Sequence, residues 1–247
     1  MKTYRTTVVL ALILPIVLCD LLCAQTNDSV EVIQIIQNLR DRFQLIHDYR
    51  VELEVSLDMP KLRMPRKRMT LTFKQPDKTR LEAKGFAMVP RRGLALAPDS
   101  LLKEIHHLTV IGDTLFNGYR CRILRGREEV LEEGSLIANI MVDNNIWVLR
   151  GITTFMDTTR IMQLVIDYVE TAPGIFLPSQ TRMNFKLDER FLRNRTRHGG
   201  PYDPDLPGPS LPEDDAMEGS ASIQFSHYQV NFGVPDSYFE DSDRDDN

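Results

Sequence analysis

Tyr49-Arg50-Val51-Glu52-Leu53-Glu54-Val55-Ser56-Leu57-Asp58-Met59 alternates without a break, apolar or aromatic at odd positions and polar at even ones. A period of two over this length is a β-strand with one dry face and one wet face. Met69, Leu71 and Phe73 repeat the pattern. Gln75-Pro76-Asp77-Lys78 then turns the chain, because proline presets the backbone angle a turn wants at its second position. Thr79 to Lys84 returns with Leu81 and Ala83 inward and Lys78, Arg80, Glu82 and Lys84 outward. The expectation is a one-sided antiparallel sheet, and its apolar face must be covered.

The segment before it supplies a cover. From Asn27 to His47, residues Val32, Ile35, Ile36, Leu39, Phe43 and Ile46 recur at helical spacing, opposite Glu31, Gln34, Asn38, Asp41 and Asp48. Asp28 with Glu31 three residues on fits a capping box. Pro98-Asp99 ahead of Ser100 to Ile105 predicts a short second helix capped by Asp99. Its Leu101, Leu102 and Ile105 are lid candidates.

More strands follow. Leu108–Ile111 and Tyr119–Leu124 flank Asn117-Gly118, a tight-turn pair. A second meander runs from Leu136 to Phe185. In it Ile137–Val142 and Ile146–Phe155 flank Asp143-Asn144-Asn145, and Asp157-Thr158-Thr159 turns into Ile161–Glu170. Met162, Leu164, Ile166 and Tyr168 make one apolar face there, and Pro173-Gly174 precedes a strand over Ile175–Leu187. The last strand, Ser222–Phe232, changes phase between Phe225 and Tyr228, which predicts a bulge near His227. Between them, Arg190–Gly219 holds Pro201, Pro204, Pro207, Pro209 and Pro212 and passes from basic to acidic. Such a composition cannot build a core, and it reads as a flexible insertion in a hairpin.

The chain has 247 residues, 42% hydrophobic and 26% charged, which suits one large β-rich domain or two small ones. A net charge of −5 argues against a general nucleic-acid binder. Lys2 and Arg5 precede an apolar run over Thr6–Leu18, with small residues near Ala24. That is the pattern of an export signal, interrupted by Pro15 and Asp20 and too short to span a membrane. The expected organisation is a signal over 1–24, one domain over 25–239 carrying the 190–219 insertion, and an acidic tail over 240–247. Removing the signal leaves about −6. Cys23 opens the alternative of lipid anchoring, against which the large Leu22 stands before it. The soluble exported form is the reading adopted. Cys121 is then the one cysteine left, so the fold has no internal disulfide to rely on.

Residues suited to catalysis are scarce. His47, His106, His107, His198 and His227 form no His-x-x-x-His pair, and no cysteine pair is spaced for zinc. A Gly-x-Ser-x-Gly elbow and a glycine-rich phosphate loop are both missing. Glu52, Glu54 and Asp58 alternate onto the wet face. No catalytic residue, metal site or cofactor is expected, and an enzyme is not the reading. The basic run Lys61, Arg63, Arg66, Lys67 and Arg68 is either a cationic rim for an acidic partner or a solvated loop.

What remains is apolar area. Long one-sided strands with few helices to cover them suggest an incomplete barrel around a cavity that suits an acyl chain, where each buried methylene contributes ~0.8 kcal/mol. The candidate lining is Val51, Leu53, Val55, Leu57, Leu71, Phe73, Leu81, Met162, Leu164, Ile166 and Tyr168. For any one of these the alternative is plain core packing.

Two stretches carry a family resemblance. Phe73-Lys74-Gln75-Pro76-Asp77-Lys78-Thr79-Arg80-Leu81-Glu82, after a leading helix and an alternating strand, resembles the first hairpin of LolA-like lipoprotein carriers. Ile223 to Asp236, with Val230-Asn231, Pro235-Asp236 and then Phe239, is similar to the family's closing strand and its Pro-Asp-x-x-Phe. Gly174 to Pro178 fits as well. The resemblance spans about Asp28 to Phe239. It implies an incomplete antiparallel barrel closed by helices, with an apolar cavity for lipid acyl chains. It also implies a monomeric periplasmic carrier working between an inner-membrane exporter and an outer-membrane acceptor. Two positions depart from the pattern. Gln75 stands where the best-known carriers place an arginine that holds the lid closed, and Val89 to Leu94 stands where they have a Trp-rich strand. A second reading from another class is a sensor that binds lipid and reports to a membrane partner.

Overall fold

The alternating segments fold as strands in a computed structural model that describes residues 29–59, 62–63, 66–83, 97–98, 102, 105, 107–130, 134–187 and 217–240. Helix α1 covers 29–44. The strands are β1 (Asp48–Met59), β2 (Leu62–Arg63), β3 (Lys67–Lys74), β4 (Lys78–Ala83), β5 (Thr109–Phe116) and β6 (Tyr119–Val130). They continue as β7 (Gly134–Asp143), β8 (Leu149–Met156), β9 (Thr159–Ala172), β10 (Ile175–Leu187) and β11 (Met217–Val230), before a short helix α2 (Ser237–Glu240). Pro98 and Leu102 also have helical backbone. Residues 1–24, the segment 188–216 and the end from 241 lie outside the described residues.

All the strands belong to one antiparallel sheet, in the order β4-β3-β1-β11-β10-β9-β8-β7-β6-β5, with β2 paired to the end of β1. Because β11 returns to β1 (Leu53 opposite Phe225, Leu57 opposite Ala221), the two ends of the chain meet inside the sheet. β4 and β5 are left as its edges. The sheet is an incomplete barrel.

Local chemistry accounts for the differences from the expected boundaries. Ile146 to Val148 are not in a strand. The Asp143 carboxylate accepts the amides of Asn145 and Ile146, and Trp147 takes a left-handed φ of 51°. The β7–β8 turn is therefore longer than its polar residues suggest. Met217 to Gly219 belong to β11, paired with the end of β10, so the insertion is shorter than composition indicates. The bulge is where the phase change puts it: the register slips between Arg50 and Glu52, opposite His227 with its φ of 56°. Phe232 lies past β11 and is exposed. At Gly151 a Cβ would sit 2.5 Å from the Leu164 carbonyl oxygen, so only glycine fits there.

The Val-Asn…Pro-Asp motif has a clear mechanical role. The Asn231 amide oxygen accepts the His47 backbone N–H at 2.7 Å, while its NH2 donates to the Leu45 carbonyl. The buried Asp48 carboxylate accepts the N–H groups of Phe232, Gly233 and Val234. Lys74 and Lys78 both pair with Asp236 and hold its carboxyl below the usual carboxylate range. Tyr238 accepts from Arg50 at 2.8 Å, donates to Glu82, and lies 4.7 Å under the Arg80 guanidinium. This clasp ties the C-terminal segment to the start of β1 and the outer face of the first hairpin. Asp48→Ala leaves three donors without their acceptor and is expected to cost ~2–3 kcal/mol, read by urea denaturation. Asp48→Asn, which keeps one acceptor oxygen, should cost less.

Candidate functional site

α1 packs on the inner face of the sheet through two clusters. Toward its C-terminus Phe43 and Ile46 pack with Tyr49, Val51, Leu53, Val55, Met69, Leu71, Phe73, Leu177 and Phe225. Toward its N-terminus Val32, Ile35 and Leu39 pack with Leu124, Ile140, Val142, Leu149, Ile152 and Ile166. The helix is tied down by polar contacts at three places. Arg122 of β6 bonds Glu31 and Asp113. Arg42 donates to the Gly174 carbonyl at 2.9 Å. The Gln75 amide donates to the carbonyls of Phe43 and Ile46, at 3.0 and 2.7 Å. The residue before the hairpin proline thus ties the first hairpin to the end of α1 and the link that follows it: Phe43 O also accepts the Ile46 N–H at 3.0 Å.

Under α1 there is little space. The cavity against Leu39, Phe43, Trp147, Tyr168 and Leu177 measures about 30 Å³, room for no more than a few waters. The structure places Val51, Leu53, Val55, Leu71, Phe73 and Ile166 in this packed region, Phe73 at 1% exposure, and Leu81 and Tyr168 at its margin. Leu102 and Ile105 join the second cluster, beside α1. Leu101 lies outside the described residues.

Farther along the same strands the inner face continues past this cover. Cross-strand registers define three successive rows. Val55, Ile223, Thr181 and Ile166 form the first, buried except for the partly exposed Ile223. Leu57, Ala221, Met183 and Leu164 form the second, all half-buried. Met59, Gly219, Phe185 and Met162 form the third, again half-buried. A cavity of about 980 Å³ opens at this third row, lined by the ends of β1 and β10 and the starts of β9 and β11. Phe185 and Met59 close over Gly219: a Cβ there would lie 2.6 Å from the Phe185 ring and 2.8 Å from Met59 Cγ, so the glycine lets these two side chains lie flat against the sheet.

The flanks of this trough are polar, with Asp58, Arg160, Asn184, Lys186, Glu218 and Ser220. Lys186 pairs with Glu218, and Arg160 donates to Gln163. Where packed core gives way to trough, the buried Thr181 Oγ1 has no hydrogen-bond partner, an arrangement rare enough in folded chains to mark the place. Among the candidates read from sequence, Leu57, Met162 and Leu164 fall in the trough rows. Met59, Met183, Phe185 and Gly219 were not among them. The first three follow the alternation, so their phase was available; Gly219 was hidden inside a segment read as insertion.

A second polar cluster is structural. Arg150 and Asp143, 5% and 1% exposed, pair at 2.9 Å, and the guanidinium lies 3.6 Å over the Tyr119 ring. Cys121, fully buried nearby, has its thiol pushed up from 9.0 to about 11 by burial and by the Asp143 charge. No group of His, Cys, Asp and Glu among the described residues could hold a metal. The thiol should resist iodoacetamide at pH 8 in the folded chain and react fully in denaturant, read by mass. The raised pKa stabilises the fold fully below about 9, and that stabilisation is lost as pH climbs through about 11.

No protein-family model matches the chain, and no curated protein matches it in sequence. Solved structures do match. A Vibrio parahaemolyticus domain classed with outer membrane lipoprotein-sorting proteins aligns over 85% of this chain and 96% of its own, at TM-score 0.53 and 11% identity. A DUF1329 family protein from Desulfovibrio piger aligns over 86% and 98%, at TM-score 0.52 and 13% identity. A LolA superfamily protein from Nitrosomonas europaea aligns over 82% and 96%, at TM-score 0.42 and 9% identity. The first two are similar enough to establish a shared architecture, and it agrees with the resemblance read in the first hairpin and the closing strand: the chain has a LolA-like fold, an incomplete antiparallel barrel with a helix across its inner face.

Proposed function

We propose that the chain binds the acyl chains of lipoproteins, or of another lipid, in the trough at Met59, Met162, Met183 and Phe185, and carries them through the periplasm toward the outer membrane. One observation supports this most: the dry face of β1, β9, β10 and β11 runs on beyond the helix that seals its other end. It finishes on flexible thioethers and a phenyl ring around a glycine. A volume near 980 Å³ is at the upper end of what small-molecule sites enclose. Methionine adapts to irregular apolar guests. Polar flanks leave a headgroup or a lipidated peptide in water. A protein of the same fold is classed with lipoprotein sorting, and the leader read over 1–24 fits export. An exporter at the inner membrane and an acceptor at the outer membrane would be the partners, with the chain acting as a monomer and not as an enzyme.

The test is native mass spectrometry of the chain purified without detergent, followed by titration with a dansyl-labelled fatty acid. Co-purifying acyl species, or uptake of the probe, is expected. Gly219→Leu, which pushes the Phe185 ring and Met59 up into the trough, and Leu164→Asp, which charges the second row, should each weaken binding about tenfold or more while leaving a cooperative unfolding transition. Phe73→Asp places a charge in closed core and should abolish folding instead. A chain that carries nothing and takes up no probe would overturn the proposal.

A further inference from the structure

Six methionines have described side chains whose environments fall into two sets. Met69, Met141 and Met156 are buried, at 4%, 4% and 7% exposure. Met59, Met162 and Met183 are half-buried, and all three stand in the two outer rows of the trough. They come from three different strands, β1, β9 and β10. Met59 Cγ and the Phe185 ring meet above Gly219. The surface offered to a guest thus includes three thioethers that solvent can reach, while the other three are closed off from it.

Leucine would serve a purely apolar floor equally well in volume. What thioethers add, besides adaptability, is chemistry: methionine is the apolar side chain that a mild two-electron oxidant turns polar and a reductase turns back. We propose that Met59, Met162 and Met183 are sulfoxidation sites through which a peroxide-class oxidant shuts the trough to acyl chains, reversibly; this rests on the acyl-binding reading above. The sulfur lone pair attacks one oxygen of hydrogen peroxide, an S–O bond forms and the O–O bond breaks. The departing hydroxide takes up the proton and leaves as water. The thioether loses two electrons and the peroxide gains them. The product sulfoxide carries a strong acceptor oxygen on a floor where Phe185, Leu57, Ala221 and Leu164 offer it no donor; the donors of the cavity, Arg160, Asn184, Lys186 and Ser220, stand on its flanks. An acyl chain laid over it would strip its water without replacing it. A bound acyl chain in turn covers the sulfurs, so a loaded protein is protected and an empty one is exposed.

The experiment treats the full chain with graded hydrogen peroxide, with and without dansyl-labelled undecanoic acid. Oxidation at each methionine is followed by peptide mass mapping, and probe affinity by fluorescence. Met59, Met162 and Met183 are expected to oxidise about tenfold faster than Met69, Met141 and Met156, and more slowly with probe bound. Affinity should fall about tenfold and return on treatment with methionine sulfoxide reductases of both stereospecificities. In the Met59→Leu, Met162→Leu, Met183→Leu variant, whatever its own affinity for the probe, peroxide treatment should leave that affinity unchanged. If the reduced protein takes up no probe, the carrier reading fails and this proposal with it. If it binds the probe but the two sets oxidise at equal rates, or oxidation leaves affinity unchanged, this proposal alone is overturned.

Discussion

The structure depends on a mismatch of areas. Strands of 12 to 14 residues extend over roughly 40–48 Å at ~3.4 Å per residue. A helix across them covers only about 10–12 Å of that length. β1, β9, β10 and β11 keep their dry side facing inward well past the part that α1 and Leu102 can seal. Apolar surface left this way has to be covered by something. Most of the inner face is therefore ordinary core, with little space left under α1. The last two rows on β1, β9, β10 and β11 are a floor with room above it among the described residues.

That division is stable only if α1 stays at one end, and polar contacts at three sites keep it there. Glu31 is held by Arg122, Arg42 holds the β9–β10 turn, and Gln75 holds the carbonyls of Phe43 and Ile46 at and just past the end of the helix. The chain end reinforces the same corner: Asp48 and Asn231 lock the junction of α1 and β1 to the segment after β11. The first hairpin is clamped from outside by Tyr238 and Asp236. The end that carries the trough is braced more lightly: the Ser56–Ser222 hydrogen bond links β1 to β11, and the Lys186–Glu218 and Arg66/Arg68–Glu54 ion pairs lie at the surface, where such pairs contribute little to stability.

Much of this was legible in the sequence because alternation is a strong signal when one face is buried. Tyr49–Met59 and Ile175–Leu187 could be read almost to the residue, and the phase change at Phe225 and Tyr228 located the bulge. The helical stripe from Val32 to Ile46 identified the cover. What the pattern could not supply is where along a strand the cover stops. Val55 and Leu57 are indistinguishable by period, yet one lies in sealed core and the other in the trough. Long-range polar contacts were equally silent. Nothing local says that Gln75 reaches α1, or that Asp48 collects three amides from residues beyond 230. Turn chemistry misled at Ile146–Val148, where apolar residues belong to a loop organised by Asp143. Composition misled at Gly219, whose small size serves the floor rather than an insertion.

The central claim is that only the uncovered half of the inner face receives an acyl chain. Methyl NMR of the chain, labelled at Met, Leu and Ile and titrated with a doxyl-labelled fatty acid, tests it directly. Paramagnetic broadening is expected at the methyls of Met59, Met162, Met183 and Leu164, with Leu53, Leu71 and Ile166 unaffected. Broadening concentrated at Leu53, Leu71 and Ile166, or spread evenly over both sets, would contradict it.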